Sequence, residues 1–134
     1  MEELIKMTPD KERAKNLLAQ VEVRLRDSKN KDPTEFATLI IEAYYELINQ
    51  LLTALLAVDG YKTLSYIALI DYLRIKYSIQ FSEHELQTID ELRKIRNRIA
   101  YEGFMIKKDY HDRKAQCTIQ IITKLKKIVS NKVL

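Results

Sequence analysis

The sequence predicts an all-α fold, an up-down antiparallel four-helix bundle with an additional short helix. Three observations point there. Only two Gly and two Pro occur in 134 residues, too little turn material for an all-β chain. Apolar residues recur at helical spacing through most of the sequence. The polar connections between these segments are short, so successive helices should run antiparallel. With 46% hydrophobic content the chain should form one domain, residues 1–134 with a core over about 8–130. It shows no internal repeat and no low-complexity segment.

Thr8-Pro9 has the form of an N-cap followed by proline at N1, where the missing N–H costs nothing. Ala14, Leu17, Leu18, Val21 and Leu25 then follow on one face, so the first helix should run to about Asp27. After the connector "DSKNKD", Asp32-Pro33 starts the longest and most apolar helix. One row on it is Phe36, Leu39, Ile40, Ala43, Leu47, Leu51 and Leu55, and a second is Ile41, Tyr45, Ile48 and Leu52. Two apolar sides mean a helix in the middle of the fold, or one that also packs against another chain. Asp59-Gly60 should end it. The third helix should begin near Thr63, with Tyr66, Leu69, Ile70, Leu73 and Tyr77 on one face. Ser82 and Glu85 form a capping-box pattern for the fourth, which carries Ile89, Leu92, Ile95 and Ile99 and should stop between Tyr101 and Gly103. The fifth, from about Lys108, aligns Thr118, Ile121, Ile122, Leu125, Ile128 and Val129.

Composition excludes several function classes. Cys117 is the single cysteine, so neither an internal disulfide nor a cysteine-based zinc site is expected, and a reducing compartment fits. "MEELIKMTPDKER" lacks a basic region followed by an apolar one, and the apolar run of the second helix contains Glu42 and Glu46. The expectation is a cytoplasmic protein without a membrane partner. Neither His84 nor His111 has a second histidine at ligand spacing, so no metal site is expected and both should lie on the surface. Glycine is too scarce for a phosphate-cradling loop. Charge is segregated along the chain: residues 1–90 hold 11 Lys/Arg against 15 Asp/Glu, and residues 91–134 hold 12 against 4. Such a basic end suits either a polyanion partner or a solvated helix face.

Two features carry the candidate chemistry. Glu42, Glu46, Asn49 and Thr53 make one polar stripe on the second helix. Buried carboxylates are costly unless paired, so the stripe should face water, or else the arginines of the fourth helix. In "DELRKIRNRIAYEGF", Arg96 projects between the directions of Ile89 and Leu92, inside the apolar sector. A guanidinium keeps its charge there, so it must reach a phosphate, the bundle rim or a carboxylate such as Glu42 or Asp90. Asn97 and Tyr101, four residues apart on a neighbouring face, converge with it near the helix end.

In layout the chain resembles the HEPN superfamily, the higher eukaryote and prokaryote nucleotide-binding domains. The likeness spans about residues 10–130 and is carried by "EAYYELINQLLTALLAVDGYKT", "IDYL" and "IDELRKIRNRIAYEGF". The family motif is Arg, four to six residues, then His, often with a polar residue after the Arg. Arg96 matches the arginine and Asn97 the polar neighbour, while Tyr101 stands at the histidine position. The resemblance implies a homodimer whose two motifs meet in one cleft, with Arg96, Asn97 and Tyr101 as catalytic positions and Glu42, Glu46 and Asn49 as the supporting stripe. Arg93, Arg98, Lys107 and Lys108 are then the expected contacts to RNA or a nucleotide. It also implies metal-independent endoribonuclease chemistry without a cofactor, and a toxin–antitoxin setting with a minimal nucleotidyltransferase as partner. An ordinary imidazole titrates near pH 6.5 and an ordinary phenol near 10, so tyrosine at this position predicts weak or lost cleavage. The alternative is a non-catalytic module that binds the nucleotidyltransferase.

Overall fold

In the computed structural model, which describes residues 4–134, the chain is mainly helical. Its elements are β1 (Ile5–Lys6), α1 (Lys11–Lys29), α2 (Pro33–Asp59), β2 (Tyr61–Lys62), α3 (Tyr66–Lys76), α4 (Glu83–Glu102) and α5 (Lys108–Lys132). Residues 1–3, which open the N-terminal stretch and the 1–134 domain considered above, lie outside the described residues.

α2 is the central element. Asp32 caps it by accepting the Thr34 N–H at 3.0 Å, and Pro33 occupies its first turn. Both apolar rows are buried within this one chain: Ile40, Leu47, Leu51 and Leu55 on one side, Ile41, Tyr45, Ile48 and Leu52 on the other. They pack against α1, α4 and α5. The second row therefore finds its partners inside the domain, and it offers no argument for a second chain. By length and composition α2 could cross a membrane, but 61% of its apolar stretch is buried in the domain interior. Leu39, counted in the first row, is 50% exposed because it sits at the edge of a cleft.

Gly60 closes α2 in the left-handed region at φ +89°. A Cβ there would also lie 2.9 Å from the Met7 carbonyl, so conformation and neighbour both require glycine. That close approach belongs to a feature the sequence does not announce: β1 pairs antiparallel with β2, Ile5 opposite Lys62 and Lys6 opposite Tyr61. The Met7 N–H donates to the Gly60 carbonyl and the Asp10 N–H to the Ala57 carbonyl, each at 2.8 Å. Residues 7–10 are thereby held against the end of α2, which moves the start of α1 beyond the expected Thr8-Pro9. Asp10 is the N-cap, its side chain accepting the Arg13 N–H at 2.9 Å. α3 likewise starts after Ser65, which accepts the Ala68 N–H, and not at Thr63, whose hydroxyl oxygen accepts the Ser65 N–H.

α3 is fastened by one carboxylate. Tyr72 and Tyr77 both donate their hydroxyls to Asp59 Oδ2 at 2.6 Å, and Lys132 Nζ reaches Asp59 Oδ1 at 2.9 Å. Burial, reinforced by the Asp59 carboxylate, pushes both phenols far above their ordinary range. α4 begins with the expected capping box of Ser82 and Glu85 and ends at Gly103, φ +69°. Burial raises the Glu85 carboxyl, yet hydrogen bonds from Lys124 and Ser82 outweigh it and hold the group below the usual range, tying the start of α4 to α5. His84 is exposed as expected. His111 is not: it is buried at the start of α5 with Nδ1 3.0 Å from Asp112 Oδ1.

Asp59→Ala removes the shared acceptor from two buried phenols and leaves the Lys132 cation without its partner. We expect a loss of about 3 kcal/mol in urea unfolding. Hydrogen exchange should show α3 losing protection before α2; uniform loss across both helices would contradict this role.

Candidate functional site

Ile89 and Leu92 bury the inner face of α4, and Arg96 follows in the same sector one turn later. Its charge is met by α2. Arg96 Nη2 and Nε lie 2.9 and 3.1 Å from Glu46 Oε1, Nη1 donates to Asn97 Oδ1 at 3.3 Å, and the guanidinium stands 5.6 Å from the Tyr45 ring centre. The carboxylates expected from spacing were Glu42 or Asp90, and neither is the partner. Asp90 is engaged by Arg93 and Lys94 at 3.0 and 3.1 Å, and Glu46, one turn beyond Glu42, fills the role. Burial raises the Asp90 carboxyl, but those two cations outweigh it and hold it low.

Beside this pair opens a cleft of about 570 Å³. α1 contributes Arg24 and Asp27, α2 contributes Glu42 and Glu46, and α4 contributes Arg96 and Tyr101. Tyr101 is 81% exposed. Of the two possibilities for the polar stripe, Glu46 meets a fourth-helix arginine directly and Glu42 faces the same cleft. Asn49 does not: it lines the next hollow along α2, about 430 Å³, which Glu46 also borders. Asn97 steadies Arg96 from behind and is not among the cleft-lining residues.

The other expected nucleic-acid contacts are dispersed. Arg93 is paired with Asp90 and lies 4.4 Å from the Tyr66 ring centre. Arg98 packs over Phe104 at 3.9 Å, Lys108 pairs with Asp112 at 2.7 Å, and Lys107 is exposed at the start of α5. None of the four lines the cleft. Arg24 and Asp27 do, and sequence reasoning missed them because only the docking of α1 beside α2 brings them there. Among the described residues, no group of three or more His, Cys, Asp or Glu side chains is placed to hold a metal ion.

Chemically, the cleft offers an arginine whose partner is exchangeable. Side chains of Arg96 and Glu46 are 32% and 38% exposed, and an ion pair at that exposure is worth about 0–1 kcal/mol. A phosphate, with more oxygens to offer the guanidinium fork, can replace the carboxylate. No histidine is among the described residues that line the cleft, so the proton acceptors there are Glu42, Glu46, Asp27 and the Tyr101 phenol. Comparison of the chain with protein-family models, with curated proteins and with solved structures returns no match.

The weakness of the pair is measurable. Glu46→Gln should change urea-unfolding stability by less than about 1 kcal/mol. Leu47→Ala, the neighbouring position turned into the core, should cost about 2–5 kcal/mol. A Glu46→Gln loss as large as that of Leu47→Ala would make the pair structural and not exchangeable.

Proposed function

We propose that the chain is a HEPN-like four-helix-bundle domain of toxin–antitoxin type, directed to RNA or a nucleotide, whose metal-independent endoribonuclease activity is weak or lost. The observation that carries this reading is Arg96, held by Glu46 and Asn97 beside an open cleft, with exposed Tyr101 where an imidazole base would stand. In the corresponding reaction the ribose 2′-oxygen attacks the adjacent phosphorus, the 5′-oxygen of the next nucleotide leaves, and a 2′,3′-cyclic phosphate remains. Arg96 suits stabilisation of the charge on the non-bridging oxygens. The missing function is general-base removal of the 2′-hydroxyl proton, to which an ordinary phenol is poorly matched at neutral pH. On this reading the protein is a cytoplasmic homodimer that works beside a minimal nucleotidyltransferase antitoxin.

A second reading is favoured by the charges of the cleft. Three carboxylates, Asp27, Glu42 and Glu46, stand against two arginines, Arg24 and Arg96. That balance suits basic side chains of a protein partner, as in a non-catalytic module that binds the nucleotidyltransferase.

Cleavage of end-labelled single-stranded RNA in EDTA separates the two. The wild type should cut slowly or not at all, Tyr101→His should raise the rate by a factor of about 100 or more, and Arg96→Ala added to Tyr101→His should abolish the gain. Inactivity of all three proteins supports the module; a wild-type rate untouched by Arg96→Ala removes the arginine from the chemistry. For the dimer, sedimentation at micromolar concentration should give twice the 15.8 kDa chain mass. A clean monomer excludes a cleft shared between two copies.

A further inference from the structure

The hollow beside Arg96 does not end at Glu46. Glu46 borders both the 570 Å³ cleft and the 430 Å³ hollow, and Thr53 and Leu56 border both that hollow and a third of about 320 Å³. The three therefore run end to end along α2, and the polar stripe Glu42, Glu46, Asn49, Thr53 is their common floor. α1 forms one wall throughout, contributing Arg24, then Leu17, then Arg13 in turn. From Glu42 to Thr53 the floor rises roughly 16 Å at 1.5 Å per residue.

Electrostatics differ between the ends. Arg96 stands at one end, paired but exchangeable. At the other, Arg13 and Lys62 flank the third hollow, both exposed and neither with a carboxylate partner among the described residues. Between them the floor passes from Glu46, whose carboxylate Arg96 holds, to the neutral Asn49 amide and Thr53 hydroxyl, and the walls are apolar or aromatic, with Leu17, Tyr45 and Leu69.

We propose that this groove is a binding track for single-stranded RNA, in which Arg13 and Lys62 form a second phosphate contact distant from Arg96. The inference rests on the RNA-directed reading of the cleft and adds its length, its direction and its far anchor. A strand that keeps a stacked spacing of ~3.4 Å would place about five nucleotides over the floor, fewer if extended. Cations at both ends meet phosphates, while the neutral middle meets bases, whose edges hydrogen-bond to amides and whose faces pack on apolar walls. Glu42, without an ion-pair partner among the described residues, has a use on an RNA strand as acceptor for a ribose 2′-hydroxyl, the group that distinguishes RNA from DNA. A basic peptide, which the carboxylates at the Arg96 end would suit, meets like charge from Arg13 and Lys62 at the far end, and an acidic one offers Glu42 no donor along its side chains, which is why RNA is the occupant favoured here.

Phosphate contacts release counterions, so the test is a salt dependence. Binding of fluorescein-labelled oligo(U) of about eight nucleotides would be followed by anisotropy across a KCl series. Wild type, Arg13→Ala/Lys62→Ala and Arg96→Ala would be compared, with Lys62→Arg as the charge-preserving control. Each lost contact should lower the slope of log K against log[salt] by about 0.7, so the double variant should fall about 1.4 below wild type while Lys62→Arg keeps the wild-type slope. Oligo(dT) should compete less well than unlabelled oligo(U). If the double variant binds with the affinity and slope of wild type while Arg96→Ala weakens binding, the far anchor is wrong and the RNA-directed cleft stands. If the wild type binds no RNA at low salt, both fail together; if oligo-glutamate competes as well as oligo(U), the occupant is a peptide and the RNA track is overturned.

Discussion

Everything else in this fold is arranged around the burial of α2. Fourteen of its residues are buried, and the helices that cover them, α1, α4 and α5, are placed by that requirement. The energetic scale decides the point. Truncating one buried leucine to alanine costs about 2–5 kcal/mol, whereas an exposed ion pair contributes about 0–1. The one side of α2 that polar residues keep from being covered, Glu42 to Thr53, is therefore where a groove runs along this helix. The candidate site exists because three neighbours close around a helix whose other sides are mostly apolar.

The segregation of charge along the sequence acquires a structural meaning from the same arrangement. Four of the twelve cations of the basic C-terminal part are matched to carboxylates of the acidic N-terminal part across helix contacts: Lys126 with Glu22, Arg96 with Glu46, Lys132 with Asp59 and Lys124 with Glu85. A block of cations late in the chain thus becomes an inter-helix pairing set, and not one continuous basic face. Besides the exchangeable Arg96, the cations that can still attract a polyanion are those with no carboxylate partner among the described residues. Arg13 and Lys62, both from the acidic part, meet that condition, whereas Arg93 and Lys108 do not.

Local chemistry made much of the fold legible in advance. Asp32-Pro33, the Ser82–Glu85 box and Gly103 act through atoms within five residues of themselves and the positive φ of Gly60 is local too, so these signatures are readable in the sequence, whereas the contact of Gly60 with Met7 is not. The starts of α1 and α3 were misplaced where backbone bonds from distant residues intervene, as Asp10 to Ala57, or where two neighbouring hydroxyls compete, as Thr63 and Ser65. A two-residue strand has no periodicity to detect, which hid β1 and β2. In the site, helical angles alone gave the direction of Arg96 into the apolar sector of α4, while whether the stripe faced water or that arginine stayed open. Its partner was off by one turn, because spacing gives a direction and not the axial offset between two packed helices. Arg24, Asp27, Arg13 and Lys62 entered only through long-range docking, which no window of the sequence contains.

On the RNA-directed reading proposed above, the Arg96–Glu46 pair gives a reason for a carboxylate in a cleft that would take a phosphate. An unpaired guanidinium half-sunk in the apolar sector of α4 would be costly in the empty protein. Glu46 offsets that cost, but from a half-exposed position where water still screens the attraction, so it stabilises without locking. When a phosphate takes the guanidinium, the Glu46 oxygens are released beside Glu42 on the same floor, and an acceptor for a ribose hydroxyl appears at the moment one is brought in. In a nuclease that acceptor would have to be a competent base at neutral pH; in a binder it need only accept a hydrogen bond. Two carboxylates and a phenol meet the second requirement more readily than the first, which fits the proposed reading of weak or lost cleavage.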